Sequence, residues 1–267
     1  MRLGELEITG RTVLAPMAGV TDWAFRTVCA ELGAAVTVTE MVSSRALVYQ
    51  DKKSRGLLRK TPSGVCGAQI FGNDPAIMAE AAGIALELSG CDFIDINMGC
   101  PMPKIAGNGD GCALMQNVEL AARIVEAVAA AVPVPVTVKM RKGWDKGSVN
   151  CAELAQAVEA AGAAAVCVHG RTKTMLYSGT ADWDCIRAVR EAVKIPVVAN
   201  GDIFDAEAAI RCEKRTGAEL LMIGRSAFGN PWVFAQVQAA LDGREVPALP
   251  PLSERMDTAM RQFELAR

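Results

Sequence analysis

Asn97 and Cys100 put an amide and a thiol three residues apart in Asp95–Ile96–Asn97–Met98–Gly99–Cys100–Pro101. The stretch begins as an apolar strand through Phe93, Ile94 and Ile96. Gly99 and Pro101 end that strand and force a tight loop. A cysteine is most often a small buried hydrophobe. One flanked by Gly and Pro in a loop sits where chemistry tends to collect, so Cys100 is read as a functional thiol.

Other apolar runs end in the same way. Val13–Ala15 leads to Pro16, Met17 and Ala18, and Ala35–Thr39 leads to Glu40. Gln69 lies near the end of Val65–Ile70, and Lys139 follows Pro135–Val138. His169, the only histidine, follows Ala164–Val168 and precedes Gly170 and Arg171. Asn200, Gly201 and Asp202 follow Ile195–Ala199, and Gly224–Arg225 follows Leu220–Ile223. Taken singly, Lys139 could be a snorkelling surface lysine, His169 a structural histidine and Gln69 a backbone cap. Taken together, strand after strand ends in a hydrogen-bonding side chain, which points to one site.

The last two strand ends also carry a phosphate signal. Gly201 and Gly224 leave backbone N–H groups open, and Arg225 supplies a forked cation. A phosphorylated ligand anchored there, with its other end toward Lys139, Gln69 and Met17, has the length of flavin mononucleotide (FMN). Lys139 and Gln69 could then reach the pyrimidine edge of the ring, where a cation is an electrostatic lever on the cofactor.

The intervening segments read as helices that position these ends. Thr21 or Asp22 caps one through Glu31, and Asp74 with Pro75 opens one that runs to Gly90. Asn117 caps one striped by Val118, Ala121, Ile124, Val125 and Val128. Others run over 151–161, from Asp182 to Val193, from Asp205 to before Gly217, and over 232–241. Residues 43–63 read as a helix and an irregular excursion carrying Lys52, Lys53, Arg55, Arg59 and Lys60, a run that is usually a solvated face. Gly107–Gly111 lacks the Lys-Ser/Thr ending of a P-loop and reads as a lid or turn. Eight β-then-α units predict a (β/α)8 TIM barrel over residues 1–242. A doubly wound sheet is weakened by the lack of a G-x-G-x-x-G turn after the first strand. Residues 243–267 read as a linker, marked by Pro247, Pro250 and Pro251, and one helix capped by Ser253.

Composition narrows the class. The chain has 267 residues, is 51% hydrophobic and only 5% aromatic, which suits helices on a Val/Ile-rich parallel sheet. A net charge of −2 gives no global case for a nucleic-acid partner, so any polyanion contact must be local. Nine cysteines without a C-x-x-C pair are neither a zinc nor a disulfide framework. They read as a reduced, cytoplasmic chain. No signal peptide or bilayer-length apolar run is evident.

The motifs resemble those of the bacterial tRNA-dihydrouridine synthases, most nearly the B type. They are LAPMAGVTD (14–22), TEMVSS (39–44), QIFG (69–72), DINMGCP (95–101), VKMR (138–141), VHGRT (168–172), ANGD (199–202), MIGR (222–225) and GNPW (229–232). The resemblance implies a flavin-dependent reduction of uridine in tRNA, with NADPH as reductant. It implies hydride transfer to C6 of the uracil and a proton for C5 from Cys100. It implies that Asn97 and Arg171 contact the uridine or its neighbours. Pro16, Met17, Ala18, Gln69, Lys139, His169, Asn200, Gly201, Asp202, Gly224 and Arg225 would hold FMN. The family also carries a C-terminal helical domain that grips tRNA, and residues 243–267 look like its start, so a truncated RNA grip is expected. The main alternative is an FMN-dependent small-molecule oxidoreductase of the dihydropyrimidine or dihydroorotate kind on the same barrel. A Schiff-base role for Lys139 and a non-catalytic RNA-binding protein are the others.

Overall fold

Eight short runs rich in Val, Ile and Ala form parallel strands, because both faces of each are buried and β-branched side chains pack well on a pleated surface. The computed structural model describes residues 1–267. The strands are β1 (Arg2–Leu3), β2 (Leu6–Glu7), β3 (Thr12–Leu14), β4 (Val36–Val38), β5 (Val42–Ser43), β6 (Val65–Phe71), β7 (Phe93–Met98), β8 (Val136–Gly143), β9 (Ala165–Thr172), β10 (Val197–Asn200) and β11 (Leu220–Ile223). The order β4-β3-β11-β10-β9-β8-β7-β6 is closed by pairing of β4 with β6, and every ladder in it is parallel. This is a (β/α)8 barrel, with β5 as a short addition along β6. Helices surround it, and a large core lies between them and the strands.

The local punctuation follows ordinary capping chemistry. The Asp22 carboxylate accepts from the Phe25 amide and opens the helix Trp23–Glu31. Asp74 opens Pro75–Ser89, which ends at Gly90 in the left-handed region (φ 61°). Asn117, Asp182 and Asp205 cap Val118–Ala131, Trp183–Ala192 and Ala206–Thr216 in the same manner. Each cap satisfies amides that the first helical turn leaves without partners.

Several elements differ from expectation. β8 and β9 run to Gly143 and Thr172, so Lys139 and His169 lie inside strands rather than just past them. Parallel pairing continues through their polar residues, with Lys139 opposite both Asn97 and Cys167 and Arg141 opposite His169. The ladder becomes irregular only between Arg141 and Gly143. The hairpin β1–β2 carries no signal in the sequence patterning; Leu3 and Ile8 pack with Val36, Phe93 and Leu220 among the strand starts inside the barrel. The excursion 43–63 holds two short helices, Ser44–Val48 and Lys52–Gly56. Ser253 is not a cap: the final helix, Leu252–Ala266, begins after Pro251 and has no side-chain cap. That helix buries no residue and is tied to the Trp23–Glu31 helix by an Arg261–Glu31 ion pair of 2.6 Å. Leu252, Met256, Met260 and Phe263 are left exposed along it. No helix is long and apolar enough to cross a membrane.

Candidate active site

A parallel barrel delivers all its strand C-termini to one mouth, and a cavity of about 420 Å³ opens there. Cys100 and Asn97 line it, together with Pro16, Met17, Ala18, Gln69, Lys139, His169, Asn200, Gly201, Asp202, Gly224 and Arg225. Arg171 does not. Its guanidinium is buried, pairs with Asp202 at 2.8 Å and donates through Nε to the Ser178 carbonyl at 3.0 Å. Glu40 is also turned away: it accepts from the Gly19 amide and so braces the Pro16–Val20 turn.

The thiol loop is held from three sides. Asn97 Oδ1 accepts from the Gly99 amide (3.1 Å) and the Cys100 amide (2.9 Å), an Asx-type turn that closes the loop on the end of β7. Arg141 Nε donates to the Gly99 carbonyl at 2.9 Å, and its Nη1 donates to the carbonyls of Thr172 and Leu176, each at 2.9 Å. From below, the Cys112 amide donates to the Cys100 carbonyl at 3.2 Å. Gly111 makes that approach possible, since a Cβ there would lie 2.9 Å from the Cys100 oxygen. The Gly107–Gly111 stretch is thus a turn that buttresses the loop rather than a lid.

Beneath the loop lies a polar floor. Gln69 Nε2 donates to Asp95 Oδ2 at 2.6 Å, and Thr137 Oγ1 donates to Asp95 Oδ1 at 2.5 Å. Asn97 Nδ2 donates to Gln69 Oε1 at 2.9 Å. Across the cavity, Lys139 Nζ donates to Asn200 Oδ1 at 3.2 Å, and Asn200 Nδ2 donates to the Met222 carbonyl at 2.8 Å. Asp202, with φ 57°, presents its carboxylate to Arg171, to the Ala181 amide (2.7 Å) and to Arg225 (3.6 Å).

The electrostatics follow from burial beside cations. Burial pushes the Cys100 thiol up, with the Met102 amide, Arg141 and Lys139 pulling the other way, so the group carries its proton at neutral pH. Burial, and then Lys139, Arg141, Arg171 and Arg225, push His169 down to about 2, so its ring is neutral at any working pH. Burial pushes Asp95 up to about 6, against the hydrogen bonds from Thr137 and Gln69 and the charge of Lys139.

Some lining residues carry no signal in the sequence motifs. Tyr177, Phe204, Phe228 and Met102 form a half-exposed rim, and the Arg225 guanidinium lies 5.0 Å from the Tyr177 ring centre and 5.8 Å from that of Phe204. In a chain with 5% aromatic residues, rings in loops after strands were the one available hint. Of the basic residues near 52–60, Lys52, Lys53 and Arg55 are exposed on a short helix. Arg59 instead stacks on Trp23 at 3.3 Å, and Lys60 pairs with Asp92 at 2.6 Å.

The barrel with this mouth defines a (β/α)8 enzyme of the kind that builds its site from strand ends. The same barrel is seen in solved structures of 6-hydroxypseudooxynicotine amine oxidase from Pseudomonas geniculata N1 and histamine dehydrogenase from Rhizobium sp. 4-9. Their TM-scores are 0.70 and 0.69 over 91% of this chain, and they cover 49% and 47% of those chains; at 13% and 14% identity the likeness is one of fold. Residues 13–265 match the Dihydrouridine synthase (Dus) family, and the chain belongs to it. It is 47% identical over 253 residues to tRNA-dihydrouridine synthase B of Escherichia coli K12, spanning 94% of this chain and 78% of that one. It is 42% identical over 267 residues to a probable tRNA-dihydrouridine synthase of Rickettsia conorii, spanning 99% of this chain and 80% of that one.

Proposed function

We propose that this enzyme reduces uridine in tRNA to 5,6-dihydrouridine in the cytoplasm, with FMN as resident cofactor and NADPH as reductant. The observation that carries the reading is a buried, protonated thiol on a braced loop at the edge of a cofactor-sized cavity. That cavity falls within the ~300–1,000 Å³ usual for small-molecule and cofactor sites. Its residues suit FMN. Gly201 has φ 115°, and a Cβ there would lie 2.8 Å from the Ala181 Cβ. Only glycine fits that position, and without a side chain its backbone would be open to a phosphate. Arg225 is forked, cationic and partly exposed beside it. Met17 Sδ lies 3.7 Å from where a Gly224 Cβ would be, so the Pro16–Met17 wall and the phosphate end share one trough.

A bound flavin would supply hydride from NADPH to uracil C6. The protein's own residues do the rest. Hydride at C6 leaves an electron pair spread over C5 and the C4 oxygen. The Cys100 S–H bond breaks, a C5–H bond forms, and a thiolate remains near Lys139 and Arg141 until water reprotonates it. Lys139 is held at the cavity by Asn200, and its remaining N–H groups would be free for the ring edge of a bound flavin. Gln69 keeps one Nε2–H for the same edge, the other being held by Asp95. His169 lends a neutral ring rather than a charge. Asn97 acts at the uridine through the loop it closes, and Arg171 through the Asp202 it orients. A base stacked in folded tRNA must be flipped out to reach the thiol, and the rim of Tyr177 and Phe204 with Arg225 offers it a stacking surface. Because the net charge is −2, tRNA affinity must come from local groups such as Lys52, Lys53 and Arg55.

The purified protein is expected to be yellow, to release FMN on denaturation, and with NADPH to form dihydrouridine in tRNA that lacks it. A colourless protein that fails to bind added FMN would defeat the flavin reading. Rapid turnover of free uracil or orotate, with none on tRNA, would favour a small-molecule oxidoreductase.

Lys139→Ala should weaken FMN binding. Hydrogen bonds to charged groups contribute about 1.5–3 kcal/mol, so the Kd is expected to rise roughly 10- to 100-fold. Fluorescence titration checks this, and an unchanged Kd would place Lys139 outside the cofactor's reach.

A further inference from the structure

Asp95 is the one carboxylate buried in the barrel floor, and it touches neither the cavity surface nor a cation at ion-pair distance. Its strand neighbours point at packing, and an aspartate there costs desolvation that an apolar residue would not. What it does is visible in the direction of the hydrogen bonds that leave it. An ionised carboxylate accepts only. The amide end of Gln69, Nε2, must therefore face Asp95. That leaves Gln69 Oε1 to face β7, where it accepts from Asn97 Nδ2. Asn97 Oδ1 is then the atom left facing the loop, where two backbone N–H groups, those of Gly99 and Cys100, require an acceptor.

We infer that Asp95 is a positioning residue that fixes the polarity of the Gln69–Asn97 hydrogen-bond chain and thereby holds the Cys100 loop in its closed form. Reversing the chain would turn Asn97 Nδ2 toward the amides of Gly99 and Cys100, donor against donor, and the loop would lose both bonds on that side. Side-chain amides can each be built either way round; the donor-only amides of Gly99 and Cys100 favour the observed polarity at one end, and Gln69 needs an acceptor to match it at the other. A group that can only accept, at one end, removes the choice. Thr137 cannot play this part, because a hydroxyl both donates and accepts. Its link to Asp95 holds the carboxylate but leaves the polarity of the chain to it. Burial of Asp95, Gln69 and Asn97 strengthens the effect, since a hydrogen bond is electrostatically stronger inside a protein than in water.

The effect on catalysis rests on Cys100 being the proton donor; the effect on the loop does not. The test uses FMN-loaded protein and two readouts. Asp95→Asn keeps the volume but offers an N–H as readily as an oxygen. It is expected to speed alkylation of Cys100 by iodoacetamide, followed by peptide mass spectrometry, about fivefold or more as the loop opens. It is also expected to slow flavin reoxidation at saturating tRNA roughly tenfold or more, as for a displaced general acid, with flavin reduction by NADPH within about twofold of wild type. Thr137→Ser trims a methyl at the same place yet keeps the hydroxyl on Asp95 and the Asp95–Gln69 bond, and both rates should stay within about twofold of wild type. Should Asp95→Asn not fold, Asp95→Ser, whose hydroxyl can donate as well as accept, carries the same expectation for alkylation. Wild-type alkylation of Cys100 in a folded Asp95→Asn protein overturns the inference, as does equal acceleration in Thr137→Ser. If alkylation accelerates while Cys100→Ala still modifies tRNA normally, the positioning role stands and the assignment of the donor fails.

Discussion

Cys100→Ala is expected to lower dihydrouridine formation in tRNA by about 10²–10⁴-fold, the usual loss when a positioned acid is removed. The same variant should still bind FMN and oxidise NADPH, because the thiol contributes nothing to either step. The physical basis is the state of the sulfur. Burial holds the thiol above its ordinary range, so it keeps its proton at neutral pH, the form that the proposed role requires. The loop that carries it is fixed through Asn97, Arg141 and Cys112, and alanine fits that backbone without strain. The fall should therefore appear in the step that consumes tRNA and not in melting temperature. Stopped-flow traces of flavin reduction and reoxidation separate the two half-reactions. Near-normal reoxidation by tRNA would show that another group protonates C5. Cys112 is a neighbouring thiol, but it is fully buried and does not line the cavity, and burial pushes it up to about 11.

Gly201→Val should cost most of the FMN affinity. The backbone at Gly201 has φ 115°, a conformation that a β-branched residue adopts only with strain of order 1–3 kcal/mol. A Cβ would also lie 2.8 Å from the Ala181 Cβ and 2.9 Å from His169 Cδ2. Neither neighbour is a flexible end: Ala181 is bonded through its amide to Asp202, and His169 is enclosed in β9. The peptide itself must rotate. That breaks the bond from Trp183 Nε1 to the Gly201 carbonyl (3.0 Å) and misdirects the amides that face the proposed phosphate. At about 1.4 kcal/mol per decade, the Kd for FMN is expected to rise on the order of 100-fold. Equilibrium dialysis against FMN measures it. Retention of wild-type affinity would move the phosphate away from this turn.

How much of this was written in the sequence divides along the range of the forces involved. Helix starts at Asp22, Asp74, Asn117, Asp182 and Asp205 are local events, because each cap bonds an amide two or three residues away. Apolar runs between those helices announce buried parallel strands, and closure of such units into a barrel brings every strand end to one mouth without any further information. That is why residues as distant in the chain as Met17, Gln69, Cys100, Lys139 and Arg225 can be grouped from the sequence alone. The ends of β8 and β9 were less legible, since Lys139, Arg141, His169 and Arg171 interrupt the apolar signal while the ladder continues past them.

Only the tertiary structure decided where each polar side chain spends its hydrogen bonds. Arg171 stands in a motif at a strand end, yet it turns to Asp202 and the Ser178–Gly179 turn, leaving the cavity to Arg141 and Arg225. Asp95 looks like one more residue of a strand, and its meaning appears only when Gln69 from β6 and Thr137 from β8 arrive on either side of it. Gly111 gains its purpose from contact with Cys100 eleven residues earlier. A residue's type and its local spacing determine which bonds it can make; which partner lies within 3 Å depends on the register of neighbouring strands, and that register is a property of the closed barrel as a whole.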